Sequence, residues 1–354
     1  MQSPVCLNKG TCDIDYTDPV EQICCFLPFD LRQAVLGMSK KYKDKLIELR
    51  LRKHMHVICN FVENDLYLCR DGRLLKINAF TNLNQLSDIL VMDDNEWTKT
   101  IQLVTSNSLY ALEKELKSGF ITIKGGHRVG IVGKSVYQEG KLTTQSQISS
   151  LNFRICRYIG GISKMLMPYI IVKEKDMLCS ENVLIISPPG LGKTTILRDI
   201  ARMLSCGCSK LAFKGCRVSI IDERSEIAAC YDGVPQFDLG PRTDVLDGCD
   251  KKDGIIIAIR SMSPDVVIVD EIGTQDDADA IYEARKSGVK VIATAHAKDI
   301  KQACTRMILK ELIAAEVFDL VITLGHSKGI GTVESVYCIK SNSELTKDSF
   351  VLQP

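Results

Sequence analysis

The spacing of apolar residues changes character near residue 150. Between residues 22 and 152 it switches repeatedly. Apolar positions recur at helical spacing over 31–38 and 83–90 and again, with a break, from Trp97 to Leu116. Period-two alternation occupies 46–52 and parts of 56–69, where Asn64-Asp65 separates two apolar runs as a hairpin turn does. Residues 120–123 and 128–132 continue as strands, and Gln138-Glu139-Gly140 supplies a further turn. This mixture predicts a smaller α+β domain over 22–152 with mostly antiparallel pairing. Residues 1–21 are polar, carry Pro4, Gly10 and Pro19, and are expected to form a flexible arm.

Beyond Gly160-Gly161 and Ser163, which read as a hinge, short apolar runs alternate with amphipathic segments. Val183-Leu184-Ile185-Ile186 is apolar throughout, the pattern of a strand buried on both faces. Further strands are expected over 217–222, 265–270, 290–294 and 318–324, with a late edge strand over 332–339. Helical spacing fills 193–204, 254–262, 276–286 and 300–312. Strands alternating with helices imply an α/β domain over 153–354, with a parallel sheet covered on both sides.

Composition narrows the class without changing this outline. A chain of 354 residues suits two domains of about 150 residues each. A net charge of +1 gives no reason to expect a broad polyanion-binding surface, so no nucleic-acid partner is expected. The 15 cysteines are odd in number, scattered, and preceded by no apolar secretory segment within residues 1–29. They read as small buried hydrophobes of a reduced, cytoplasmic protein. No apolar run approaches the roughly 18 to 20 residues that span a bilayer, so any membrane association is peripheral.

Chemistry concentrates where the Val183 strand ends. Ser187-Pro188-Pro189-Gly190-Leu191-Gly192-Lys193-Thr194-Thr195 joins a buried strand to a helix, the arrangement of a P-loop, or Walker A motif. Its glycines let backbone N–H groups curl around an anion, Lys193 reaches the β- and γ-phosphates of ATP, and the Thr194 hydroxyl ligates Mg²⁺. Ser187 stands where the motif has its first glycine, a position that opens the loop and does not hold the γ-phosphate. Val266-Val267-Ile268-Val269 runs into Asp270-Glu271, a Walker B pattern on a strand expected beside the loop strand. Asp270 then holds the Mg²⁺ shell, partly through water, and Glu271 polarises the attacking water. Thr294 or His296, ending the next strand, is placed to sense the γ-phosphate. Asp222-Glu223-Arg224-Ser225-Glu226 closes another strand, and a role near the catalytic water or metal is expected there, with Glu223 as its acting residue. Arg242 and Arg260 are both candidate arginine fingers supplied to a neighbouring subunit. Arg50, Arg52, Arg128, Arg154 and Arg157 recur on the strands of the first domain or near their ends.

Longer segments carry a resemblance. Asp222-Glu-Arg-Ser-Glu-Ile-Ala, the run from Asp238 through Arg242 to Cys249, the run from Arg260 to Gly273, and Thr294-Ala-His-Ala resemble the stage III sporulation protein AA family of endospore-forming bacteria. Gly130-Ile-Val-Gly-Lys, Ile148-Ser-Ser-Leu-Asn-Phe-Arg-Ile and Gly160-Gly161 extend it toward the N-terminus, so it covers most of the chain. That family is similar to type II and type IV secretion and pilus ATPases and is grouped with AAA-like P-loop ATPases. The resemblance implies a RecA/AAA-like fold and a hexameric ATPase docked on the inner face of a membrane channel complex in the mother cell. It implies that residues 222–226 and His296 approach the nucleotide, and that first-domain or linker arginines, best suited by Arg154 and Arg157, reach a neighbour's site. The expectation is an ATP hydrolase of a sporulation channel complex. Its rivals are an ATP-dependent scaffold without sustained turnover and a RecA-like nucleic-acid translocase.

Overall fold

Glu48–Arg52 alternates between two environments, and that alternation builds the first half of the protein. A computed structural model describes residues 18–76, 87–105, 113–174, 177–346 and 350–351. Its contacts divide the chain into Met1–Arg157 and Tyr158–Pro354, a few residues beyond the expected 152/153 boundary. The first unit holds β1 (Glu48–Arg52), β2 (Ile58–Asn60), β3 (Asp65–Leu68), β4 (Leu74–Leu75), β5 (Phe120–Ile123), β6 (His127–Gln138) and β7 (Lys141–Arg154). They form one antiparallel sheet of order β4-β3-β2-β1-β7-β6-β5. Leu49 and Leu51 lie opposite Phe153 and Leu151 and are buried with Val129, Ile131, Ile121 and Ile123, whereas Arg50 and Arg52 lie opposite Asn152 and Ser150. The β6–β7 hairpin turns at Glu139-Gly140, both with positive φ, as a two-residue primed turn requires.

Several details differ from the sequence expectation. Most of the expected N-terminal arm, residues 1–17, lies outside the described residues, but 19–21 belong to the helix Pro19–Cys24, capped by Asp18, with Val20 and Ile23 in the core. Of the helix expected over 83–90, residues 83–86 also lie outside the described residues. Ile89 instead bridges to Cys69, and the Leu90 N–H donates to the Leu68 carbonyl, so this stretch is strand-like.

In the second unit two short helical turns, Ile162–Met165 and Met167–Ile170, lead into the hairpin β8 (Ile171–Glu174) and β9 (Met177–Ser180). Its main sheet contains β10 (Val183–Ser187), β11 (Val218–Asp222), β12 (Thr243–Asp247), β13 (Val266–Val269), β14 (Lys290–His296), β15 (Leu320–Gly325), β16 (Thr332–Cys338), β17 (Ser343–Glu344) and β18 (Phe350–Val351). The order is β12-β11-β13-β14-β10-β15-β16-β17, with β18 also on β16; β12 through β15 pair in parallel and the last strands antiparallel. Val183 and Ile185 pack with Ile196, Leu197 and Ile200 of the helix Lys193–Cys206. Leu184 and Ile186 face the opposite layer, with Ile255 and Ala258 of Lys251–Met262 and Ala278 and Ile281 of Gln275–Lys286. A strand covered on both faces must be apolar at every position, which is why its sequence shows no alternation.

The expected neighbour of the loop strand is corrected: β13 does not adjoin β10, because β14 lies between them. β12, which begins just after Arg242, is absent from the expected strands; with only two apolar residues, at a half-exposed sheet edge, it carries little strand pattern. The helix expected over 300–312 breaks into Ile300–Ala303 and Met307–Ala314.

Candidate active site

Parallel pairing brings the carboxyl ends of β10, β11, β13 and β14 to one edge of the sheet, and the polar residues flagged in the sequence lie there. The loop leaving β10 uses glycine where the backbone demands it: Gly190 has φ +76° and Gly192 φ +83°, and a Cβ built on either would meet nothing within 4 Å. Ser187 is outside the positive-φ set, so the position that departs from the motif needs no glycine. It is fully buried and its hydroxyl contributes to the site.

Lys193, the first residue of the Lys193–Cys206 helix, is buried at this edge. Its ammonium donates to Ser187 O at 3.4 Å, Ser187 Oγ at 3.3 Å, Pro188 O at 3.4 Å and His296 Nδ1 at 3.1 Å. Burial pushes its pKa down, and Asp270 and Glu271 act in the opposite direction. An ammonium has no lone pair to offer, so His296 Nδ1 accepts and Nε2 donates to Glu271 Oε1 at 3.0 Å. Thr194 Oγ1 donates to Asp270 Oδ2 at 2.7 Å, and the Thr294 hydroxyl donates to Asp270 Oδ1. Thr294 Oγ1 in turn accepts the Glu271 N–H at 2.8 Å. Glu271 adopts φ +51°, an uncommon conformation for a side chain of its size, at the turn off β13. The opposite side of its carboxylate faces β11, where Arg224 Nη1 reaches Oε2 at 3.1 Å.

The remaining expected residues are distributed as follows. Glu223 lines a cleft with Arg224, Lys251, Asp270 and Glu271, and its own carboxylate pairs with Lys251. Asp222 is a structural residue. Its buried carboxylate accepts the N–H groups of Glu226 at 2.8 Å, Ile227 at 3.0 Å and Ala228 at 2.8 Å, which fixes the turn that presents Arg224. Arg242 and Arg260 are not brought to this edge. Arg242 precedes β12 and donates to Ser205 O at 2.6 Å, at the C-terminal end of the loop helix, and Arg260 occupies the last turn before β13. Both therefore stand at the opposite edge of the sheet. In the first unit, the Arg157 guanidinium is held by the Leu46 and Lys43 carbonyls at 2.7 and 2.8 Å, whereas Arg154 pairs with Glu48 and leaves 65% of its side chain exposed.

These residues fit a phosphate and a hard cation. The glycine loop leaves open space on its Cβ side, the buried Lys193 is hydrogen-bonded by neutral groups, and Thr194 with Asp270 offers the oxygen donors that Mg²⁺ takes. The model of the sporulation stage III, protein AA family matches residues 17–343. The chain belongs to that family. Stage III sporulation protein AA of Bacillus subtilis (strain 168) is 46% identical over 234 residues, which cover 66% of this chain and 74% of the relative. The uncharacterized protein ycf45 of Porphyra purpurea is 30% identical over 218 residues, 60% of this chain but 35% of the relative. The ATPase DotB of Legionella pneumophila superposes with TM-score 0.50 at 18% identity, covering 83% of this chain and 74% of its own. The chain thus shares the fold of that ATPase, with a mostly parallel sheet preceded by an antiparallel-sheet domain. Among the described residues no helix is long and apolar enough to cross a membrane.

Arg224 was visible in the sequence only as part of an acidic run. The strand order that aims it at Glu271 could not be read there.

Proposed function

We propose that this protein is a Mg²⁺-dependent ATP hydrolase. The reading rests on one observation: Lys193, buried at the glycine loop, is linked through His296 to Glu271, beside the Thr194–Asp270 pair. The loop N–H groups and Lys193 bind the β- and γ-phosphates, and Thr194 and Asp270 hold Mg²⁺. The ion, when bound, neutralises charge on the phosphate oxygens. Glu271 orients water for in-line attack on the γ-phosphate. Thr294 fixes the Glu271 backbone, and His296 responds to the γ-phosphate because it stands between Lys193 and Glu271.

An arginine that stabilises the developing charge comes from another copy of the chain. Arg198 is tied to the Ile227 and Glu226 carbonyls, Arg202 to Asp199, Arg242 and Arg260 lie at the far edge, and Arg224, the arginine that does reach this edge, is engaged by the Glu271 carboxylate, which supports a site completed in trans. The exposure of Arg154 favours it over Arg157 for that role. In this reading the chains form a hexameric ring in the mother-cell cytoplasm, at the inner face of a membrane channel complex that serves endospore formation. Family membership supports the sporulation setting.

Replacing the carboxylate alone separates binding from chemistry. Glu271→Gln is expected to retain ATP binding and lose turnover by at least about 100-fold, the usual scale for removing general-base assistance, whereas Lys193→Ala loses both. Phosphate release together with binding of a fluorescent ATP analogue measures the two effects, and wild-type turnover in Glu271→Gln sinks the assignment.

A further inference from the structure

We infer that Arg224 is a positioning residue that holds Glu271 away from the phosphate loop, so that hydrolysis requires this ion pair to open. The inference rests on the hydrolase reading above and adds a restraint to it. The strand order β11-β13-β14-β10 puts Arg224, which follows β11, and the loop, which follows β10, on opposite sides of Glu271. Arg224 Nη1 takes Glu271 Oε2 at 3.1 Å toward β11, while Oε1 accepts from His296 Nε2 at 3.0 Å. Both carboxylate oxygens are thereby engaged by protein donors, and the oxygen bonded to Arg224 points toward the side away from Lys193.

The base of this arm is pinned by hydrogen bonds and its end is exposed to solvent. Asp222 accepts three successive backbone N–H groups of the turn, and Ser225, at φ +51°, bonds Asp247 Oδ1 at 2.6 Å. The Arg224 side chain itself is 67% exposed, against 32% for Glu271. An exposed ion pair of this kind is weak and screened by salt. It is strong enough to bias the resting position of Glu271 and weak enough to yield to an anion that approaches Arg224. An acidic side chain of a second copy has the chemistry to draw the guanidinium off.

The test compares steady-state ATP hydrolysis of the full-length wild type with Arg224→Gln and Arg224→Lys, each checked for an unchanged unfolding temperature. Arg224→Gln is expected to raise kcat about two- to fivefold, the range corresponding to loss of one exposed ion pair, with KM for ATP unchanged. Arg224→Lys, which can still pair with Glu271, returns kcat toward wild type. Salt should stimulate the wild type more than Arg224→Gln. A fall in kcat at constant KM in Arg224→Gln overturns the restraint and makes Arg224 an orienting group, while leaving the hydrolase reading intact. Equal rates in all three proteins likewise overturn it. A wild type that binds ATP without releasing phosphate overturns both readings.

Discussion

Thr294 is the residue on which the geometry of the site turns most quietly. It is fully buried; its hydroxyl bonds Asp270, and its oxygen accepts the backbone N–H of Glu271. A single side chain thus sets the spacing of the two acidic groups and supports the positive φ of Glu271. Valine has the same shape but leaves that N–H without its acceptor. Thr294→Val is expected to destabilise the protein by about 1–3 kcal/mol, the penalty for stranding a buried polar group. Urea unfolding measures this, and kcat should fall more than KM changes, because the loop that grips the nucleotide is untouched. Ser187 illustrates the opposite case. A departure from the motif is tolerated because that position lies outside the positive-φ set and its hydroxyl adds a partner for Lys193.

At the level of elements, the loop strand is held from its far end as well. Asn182, just before β10, donates its backbone N–H to Asp319 at 2.9 Å and accepts the Val291 N–H of β14 at 3.0 Å. Its carbonyl accepts the N–H groups of Asp319 and Leu320 at the start of β15. Three central strands are therefore stapled opposite the active edge. Glu181 sits beside this staple, where burial first and the Asp319 carboxyl second push its pKa up to about 7, with Lys340 and Lys290 acting in the opposite direction. Asp319 is held well below the usual carboxylate range by Lys340 and Asn182, against the effect of burial, so it stays ionised. A carboxyl raised in the folded state stabilises fully below its ordinary value near 4.5, and that contribution disappears as pH rises through about 7. His127, buried and lowered to about 4, acts in the opposite sense, its contribution being lost as pH falls from about 6.5 toward 4. Between pH 5 and 8 the urea midpoint of the wild type is therefore expected to carry a falling Glu181 component that Glu181→Gln removes. Parallel slopes for the two proteins would refute the assignment.

For the whole molecule, the proposed trans arginine makes assembly part of the chemistry. The expected outcome is a native mass that rises to six chains with a nonhydrolysable ATP analogue and Mg²⁺; a monomer under all conditions would contradict the ring. Much of this architecture was legible in the chain. Val183 to Thr195 announces a buried strand, a phosphate loop and a helix because backbone curvature around an anion restricts the residue types at each position. The apolar runs ending in Asp222, Asp270 and His296 announce parallel strands because a sheet covered on both faces leaves no room for polar side chains. Strand order is different in kind, since it depends on which helices and strands pack together across long separations. Only tertiary structure inserted β14 between β10 and β13, set His296 between Lys193 and Glu271, and turned Arg224 toward Glu271 while carrying Arg242 and Arg260 to the other edge. Residue chemistry is local and can be read in order along the chain; the neighbours of each carboxylate are fixed by lateral pairing, which no single segment encodes.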